Sequence, residues 1–374
     1  MKETLTIKNF GPFREETTFN FKRVNVLIGE QGTGKSTVAK LLAIINDVSY
    51  IVSESRNFRN ELVNEGLEKL VSENSIIEFH SENYQFHFVK LKATKEFSPK
   101  LKKQIDLFNL TSEEEYISEN GYSKKALLFI DILKLVTQKT YYPAERILVH
   151  LVNNNSFSFM GSKELVINQS LRKFGTAYQY SRFGVQKYNF DFLGISYEFS
   201  GEEDFVTFEN DFTIELKKSA SGFQSVLPLL LVLLNKSKEN VDKQFCFHLI
   251  EEPELNLFPK TQYELVKFIS EVINRTSNSV MYCTHSPYIL TALNNLMYAY
   301  QVGQKNKTAT KKIIDEKYWL NPDDVSAYYL SNGKAESIID KETGLIEANR
   351  IDGVSDIMNK EFNDLFEIER ISEK

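Results

Sequence analysis

Hydrophobic positions fall in two rhythms along this chain, and the change of rhythm marks its elements. At the N-terminus TLTIKNF and TTFNFKRVNVLI alternate or run apolar in short stretches broken by Gly11 and Pro12, which predicts strands joined by a tight turn. Phe10 and Phe13 are then core residues, although either could border an adenine ring. Val38, Leu41, Leu42 and Ile45 recur at the spacing of one helix face. SIIEFHSENYQFHFVK alternates on both sides of Ser81 to Asn83 and predicts a hairpin, set among polar helical stretches such as RNELVNEGLEKLVSE. TYYPAERILVHL reads as a strand kinked at Pro143 that returns toward the core. Between Asn153 and Leu216, aromatic-rich segments such as FDFLGISYEF and FVTFENDFTIEL predict antiparallel strands. KKSASGFQSVLPLLLVLL is a small-residue loop entering an apolar helix. KQFCFHLI and SVMYC read as buried strands, and between them Leu265, Phe268, Ile269 and Val272 share a helix face. DDVSAYYLSNGKAESI predicts a hairpin turning at Asn332 and Gly333.

With 374 residues, 42% hydrophobic and 26% charged, the chain has the makings of a globular protein with ample core, in one large or two closely joined domains. The net charge of -6 confines any nucleic-acid contact to a local patch. One such patch is KLKATKEFSPKLKK, which gathers Lys90, Lys92, Lys95, Lys100, Lys102 and Lys103 against Glu96. It could grip the phosphate backbone of DNA or RNA, or simply be a solvated face. Cys246 and Cys283 lie inside apolar runs, which indicates buried free thiols in a reducing cytoplasm. The start lacks a signal-peptide core. The longest apolar run, Val226 to Leu234, is about half of the roughly 20 residues a membrane span needs and is interrupted by Pro228. A cytoplasmic protein without a membrane anchor is expected.

The strongest chemical signal is Gly29 to Thr37, GEQGTGKST, a full match to the phosphate-loop pattern G-x-x-x-x-G-K-[ST], placed after the apolar VNVLI and before a helical pattern. Gly29, Gly32 and Gly34 allow the backbone to turn successive N–H groups, across Gln31 and Thr33, toward the β- and γ-phosphates of a nucleotide. Lys35 adds a point charge, Ser36 offers a hydroxyl to Mg²⁺, and the helix opening through Thr37 presents its positive end to the anion. A chance glycine-rich turn is the alternative, and the strand before and helix after weigh against it.

Three further stretches fit a triphosphate. LIEEPELNLF delivers two carboxylates at a strand's C-terminal edge, where ligands of open α/β sheets sit. Glu251 is placed to assist Mg²⁺, and Glu252 to take a proton from the water attacking the γ-phosphate. His285, directly after VMYCT, can hydrogen-bond that phosphate or water. His80, His87, His150 and His248 read as ordinary histidines, since no pair of them has convincing metal-ligand spacing. SASGFQ, with Ser219, Ser221, Gly222 and Gln224, makes a second anion site at a helix start, or merely a capped helix. One chain with one nucleotide has no use for it; two copies paired head to tail do.

In this order the motifs resemble the ABC-ATPase superfamily, and within it the SMC and RecN type with the smaller OLD-like and phage-defence ATPases. The resemblance rests on NFGPF (Asn9 to Phe13), GEQGTGKST, SASGFQ in the place of the LSGGQ signature, EEPELNLFP for Walker B with its D-loop, and THSP for the switch histidine. It implies an α/β fold: a P-loop ABC-ATPase head with a mixed central sheet flanked by helices, an antiparallel β subdomain and a helical insertion. The division it implies is a first ATPase lobe at 1–49, an insertion with helices and a β-hairpin at 50–139, a second lobe at 140–300, and a C-terminal extension packed on them at 301–374. It also implies ATP and Mg²⁺ as cofactors, with Lys35 and Ser36 on phosphate and metal, Glu252 as catalytic base, His285 as switch, and Ser221 with Gly222 acting in trans.

Departures from the pattern sharpen the expectation. Glu251 replaces the usual aspartate, and no Q-loop glutamine is evident, PAER placing Glu145 and Arg146 near there with their role open. The segment from Tyr50 to Lys139 lacks the length and heptads of a long coiled coil, and no nuclease module is expected beyond Met297, where the residues are few and poor in ordered acidic clusters. The reading is an ATP-hydrolysing homodimeric switch, acting in antiphage defence or DNA-damage surveillance on a separate effector such as a nuclease. A scaffold that binds ATP with negligible hydrolysis, or a P-loop small-molecule kinase, are the alternatives.

Overall fold

The structure is a computed structural model and describes residues 3–112, 123–152, 168–238, 245–347 and 353–372. At its centre lies a six-stranded sheet. Its strands are β3 (Val24–Gly29), β7 (Gln138–Tyr142), β12 (Cys246–Glu251), β13 (Ser279–Thr284), β14 (Val325–Ser331) and β15 (Lys334–Ser337), in the order β15-β14-β3-β13-β12-β7. All neighbours run parallel except the β14–β15 hairpin, so the sheet is mixed. Every residue of β3, β12 and β13 is buried. These strands read as apolar runs because both sheet faces are covered. Side-chain alternation divides them: Leu27, Leu249 and Cys283 enter the core shared with the helix Lys35–Ile45, while Val26, Ile250 and Tyr282 enter the core on the opposite face. β14, from the C-terminal part of the chain, pairs directly with β3 and so completes the central sheet.

Two antiparallel sheets flank this centre. One has five strands in the order β2-β1-β4-β5-β6, from β1 (Glu3–Lys8), β2 (Thr17–Phe21), β4 (Ile76–His80), β5 (Tyr84–Val89) and β6 (Lys92–Phe97). The expected hairpin at Ser81 to Asn83 is there, but Lys90 (φ 49°) and Leu91 (φ 61°) make a second tight turn that sends the basic stretch back as β6. This splits the lysines. Lys95, opposite Phe86, turns inward, donates to the carbonyls of Tyr50 and Ser53, and lies 3.9 Å from the Tyr50 ring centre. Burial pulls its pKa down to about 8. Lys90 and Lys92 remain exposed beside the turn, and Lys100, Lys102 and Lys103 sit exposed on the following helix Pro99–Leu110, so the six do not form one face.

The second flanking sheet, order β11-β10-β9-β8, comprises β8 (Lys187–Phe190), β9 (Ile195–Phe199), β10 (Asp204–Phe208) and β11 (Thr213–Glu215). Ahead of it stands a helix, Gln169–Gly184, in a region whose aromatic content suggested strands throughout. Helical spacing prevails there because Leu171, Phe174 and Tyr178 all reach one core, and the Asn168 side chain caps the first turn by accepting from the Leu171 N–H. The part of that region at 153–167 lies outside the described residues.

The helix Ser221–Lys238 is the pillar of the larger core: residues 225–234 are all buried. A helix apolar all round belongs inside. Pro228, within it, cannot donate to the Gln224 carbonyl one turn back. His150 takes that role, its Nε2 lying 2.9 Å from Gln224 O, and Arg146 Nε donates to the adjacent Ser225 carbonyl at 2.8 Å. Among the described residues no helix is long and apolar enough to cross a membrane, and Cys246 and Cys283 are buried thiols that form no disulfide.

Candidate functional site

β3 ends at Gly29 and the next helix begins at Lys35, leaving a short turn at the sheet's C-terminal edge. Gly34 caps that helix at φ +108°, and a Cβ there would come within 2.6 Å of the Phe13 ring and 2.8 Å of Pro12. The NFGPF turn is therefore the floor on which the loop rests. At Gly32 (φ +74°) an added Cβ would meet nothing within 4 Å, so the loop is open on its other side. Lys35, only 6% exposed, donates to the carbonyls of Gly29 and Glu30 at 2.7 Å each. Burial lowers its pKa, opposed by Cys283, Glu252, Glu251 and Glu254. Thr33 Oγ1 donates to Glu30 O at 2.8 Å, Thr37 is buried in the first helical turn, and Ser36 is exposed there.

β12 lies two places across the sheet, with β13 between, and ends level with the loop. Glu251, its last residue, is 6% exposed, and its Oε1 is buried without a hydrogen-bond partner. Burial raises its pKa, and the hydroxyls of Ser36 and Tyr141 beside it pull the other way. Glu252 adopts φ +40° and donates its N–H to Cys283 O at 2.8 Å, so the chain leaves the strand abruptly and swings the second carboxylate away from the first. Glu254 fastens this turn to β13: its Oε1 accepts from Thr284 Oγ1 at 2.6 Å and from the His285 N–H at 2.9 Å. His285 is half-buried, its pKa lowered by burial and by Lys35, so the neutral imidazole is favoured.

These groups line one cavity of about 300 Å³: Gln31, Gly32, Gly34, Lys35, Ser36 and Thr37 from the loop, Glu251 and Glu252 from the strand end, and His285 opposite. Pro12, Leu70 and Cys283 complete its wall. Gly29 and Thr33 are not part of this lining: a Cβ at Gly29 would come within 2.3 Å of Leu330 O, and the Thr33 hydroxyl is turned to Glu30 O. The cavity fits a polyphosphate, since it joins an open glycine turn, a helix start and an ammonium. It also fits a divalent cation, because a buried carboxylate oxygen without a partner stands beside the Ser36 hydroxyl. Ser36 and Glu251 are the residues that would hold it.

Ser219, Ser221, Gly222 and Gln224 do not line this cavity. Of this segment, Gly222 and the following Ser225 pack against the turn that follows Glu252. A Cβ at Gly222 would come within 2.8 Å of Asn256 O, and Ser225 Oγ donates to Leu255 O at 2.8 Å. Gln224 folds the loop on itself, donating to Lys217 O and Ser219 O at 3.2 and 2.7 Å, and Ser221 remains exposed.

What joins the two regions is Arg146, whose role the sequence left open. It is fully buried, and its guanidinium donates to Glu251 O and Glu252 O at 2.7 Å each, to Ser225 O at 2.8 Å and to Pro143 O at 3.2 Å. Burial lowers its pKa to about 10 against the attraction of Glu254, Glu252 and Glu251, so it stays charged at neutral pH. Glu145, its neighbour, is exposed. Two more contributors went unrecognised in the sequence, Glu254 and Tyr141; the third acid of EEPE was the one available sign of the former.

A family model described as AAA ATPase domain matches the chain over residues 1–173 and 52–290. Among solved structures, the chain is similar to the SMC head domain from Thermotoga maritima, at 13% identity and TM-score 0.43, over 90% of this chain and 98% of that one. It is also similar to the Smc head domain with an extended coiled coil bound to the C-terminal domain of ScpA, derived from Pyrococcus furiosus, at 11% identity and TM-score 0.44, over 90% and 95%. A third, the SmcHead bound to the C-winged helix domain of ScpA, shows 12% identity and TM-score 0.43, over 90% and 96%. No curated protein matches the chain.

Proposed function

The chain belongs to the AAA ATPase domain family, and from that premise we propose that it hydrolyses ATP as a head-to-tail homodimer whose nucleotide state is the signal. The observation that carries this reading is a division of labour. Lys35, Ser36, Glu251, Glu252 and His285 meet at one cavity, while the exposed Ser221 and its loop sit apart from it, tied to it through the turn after Glu252. A second copy supplies that loop to the γ-phosphate.

In this reading Lys35 and the loop amides hold the phosphates, and Ser36 with Glu251 hold Mg²⁺, which supplies charge neutralisation when bound. Glu252, turned out of the strand, accepts the proton of the attacking water. Neutral His285 hydrogen-bonds the γ-phosphate and reports its presence to the helix Pro287–Lys305 that begins two residues later. Output through a separate effector, in antiphage defence or DNA-damage surveillance, is supported by the motif resemblance alone.

The test is Glu252→Gln with ATP and Mg²⁺. The variant should bind ATP, turn it over at least about 100-fold more slowly, as expected on losing a general base, and elute as a dimer. A monomer at saturating ATP sinks the dimeric reading; unchanged turnover sinks the assignment of the base.

A further inference from the structure

We propose that Glu78, His80 and His87, on the outward face of the β4–β5 hairpin, form a zinc site of two imidazoles and one carboxylate. The register builds it. Glu78 and His80 are two residues apart on β4 and so share a face, and His87 of β5 stands directly opposite Glu78. The intervening Ile77, Phe79, Phe86 and Phe88 fill the core beneath, which commits the trio to the other face. Sequence spacing gave no hint, because the ligand set is completed across strands.

One ligand atom from each residue lies within 4.8 Å of the others. His87 Nδ1 is 3.6 Å from a Glu78 oxygen, and the two imidazoles stand edge to face with centres 5.3 Å apart. Zinc bonds of roughly 2.0–2.2 Å place tetrahedral ligands about 3.4 Å apart, so closure needs only small rotations of half-buried side chains on a rigid sheet. The positions paired with the trio on neighbouring strands are Thr4 and Thr6 of β1, Gln85 of β5 and Thr94 of β6, none of them cationic. Two imidazole nitrogens and one carboxylate suit zinc rather than magnesium or calcium, which take oxygen ligands, and they leave a fourth position to water. A bound ion would pin β4 to β5 outside the nucleotide cavity, whose lining includes none of the three.

The full chain is titrated with zinc chloride by calorimetry in excess Mg²⁺, and Co²⁺ is used in parallel for its visible spectrum. One zinc per chain, a raised unfolding midpoint and a tetrahedral cobalt spectrum are expected. The double variant His80→Asn, His87→Asn should weaken zinc binding at least about 100-fold, since loss of a mere supporting contact already costs up to that much. Glu78→Gln should weaken it too. Circular dichroism and Mg²⁺–ATP binding of the metal-free variants should match the parent, which separates lost ligands from lost fold. No saturable zinc binding, or binding whose stoichiometry and affinity survive the double variant, overturns the site.

Discussion

Arg146 donates to the carbonyl oxygen of Glu252 at 2.7 Å, and the same guanidinium holds Ser225 of the pillar helix at 2.8 Å. A side chain outside the cavity lining thereby ties the turn after Glu251 to the helix that the Ser219 to Gln224 loop enters. Arg146→Lys keeps the charge but loses the fork, leaving buried carbonyls unpaired at about 1–3 kcal/mol each. We expect stability in urea to fall by about 3 kcal/mol. ATP should still bind to the phosphate loop, while turnover drops about 100-fold through misplacement of Glu252. Equal losses of binding and turnover would show Arg146 to be merely structural.

Gly34→Ala tests the floor of the loop. The position combines φ +108° with a Cβ only 2.6 Å from the Phe13 ring, so both backbone and packing resist the methyl group. Nucleotide affinity, read by fluorescent ATP titration, should be lost. Far-ultraviolet dichroism should be retained because the strain is confined to the turn. Phe13→Leu in the same background should recover part of the affinity by making room.

Complementation tests whether the site is shared. Lys35→Ala disables one half-site by removing a buried ammonium at the helix start, and Ser221→Arg disables the other at an exposed position. Each variant alone should be inactive. Mixed in equal amounts, half of the dimers are mixed and carry one intact site of two, so about a quarter of the parent activity should return. No recovery would mean that each chain completes its own site.

His248 predicts an acid-labile fold. Burial pushes its pKa down to about 3 from an ordinary 6.5. The Asn278 amide, whose oxygen accepts from the Cys246 N–H, turns its own N–H to Nε2, which leaves Nδ1–H to donate to the Tyr142 hydroxyl. The unfolded chain takes the proton more readily than the folded one. Its contribution to stability is therefore full above the unfolded pKa and is lost as pH falls from about 6.5 toward 3, at about 1.4 kcal/mol per pH unit. Denaturation curves of His248→Phe should start lower at neutral pH and fall less steeply on acidification. An equal slope would remove His248 from the acid response.

The reading of this chain from its residues succeeded where the signal is contiguous. GEQGTGKST, EEPE and the buried runs VNVLI, CFHLI and SVMYC place a loop, an acidic strand end and three neighbouring strands without reference to anything distant. It missed the helix Gln169–Gly184, because aromatic residues favour strands unless a helical face finds a core, and it missed β6, because a turn at Lys90 and Leu91 carries no glycine.

Local order along the chain thus determined which groups stand at each strand end, because the loop and the acids need only their immediate neighbours to take shape. Tertiary structure alone decided that Arg146 spans Glu252 and Ser225, that His150 serves the carbonyl orphaned by Pro228, and that His87 faces Glu78. Each depends on strand register or on a buried partner tens of residues away, and a period of two or of 3.6 in the sequence holds no record of which elements meet.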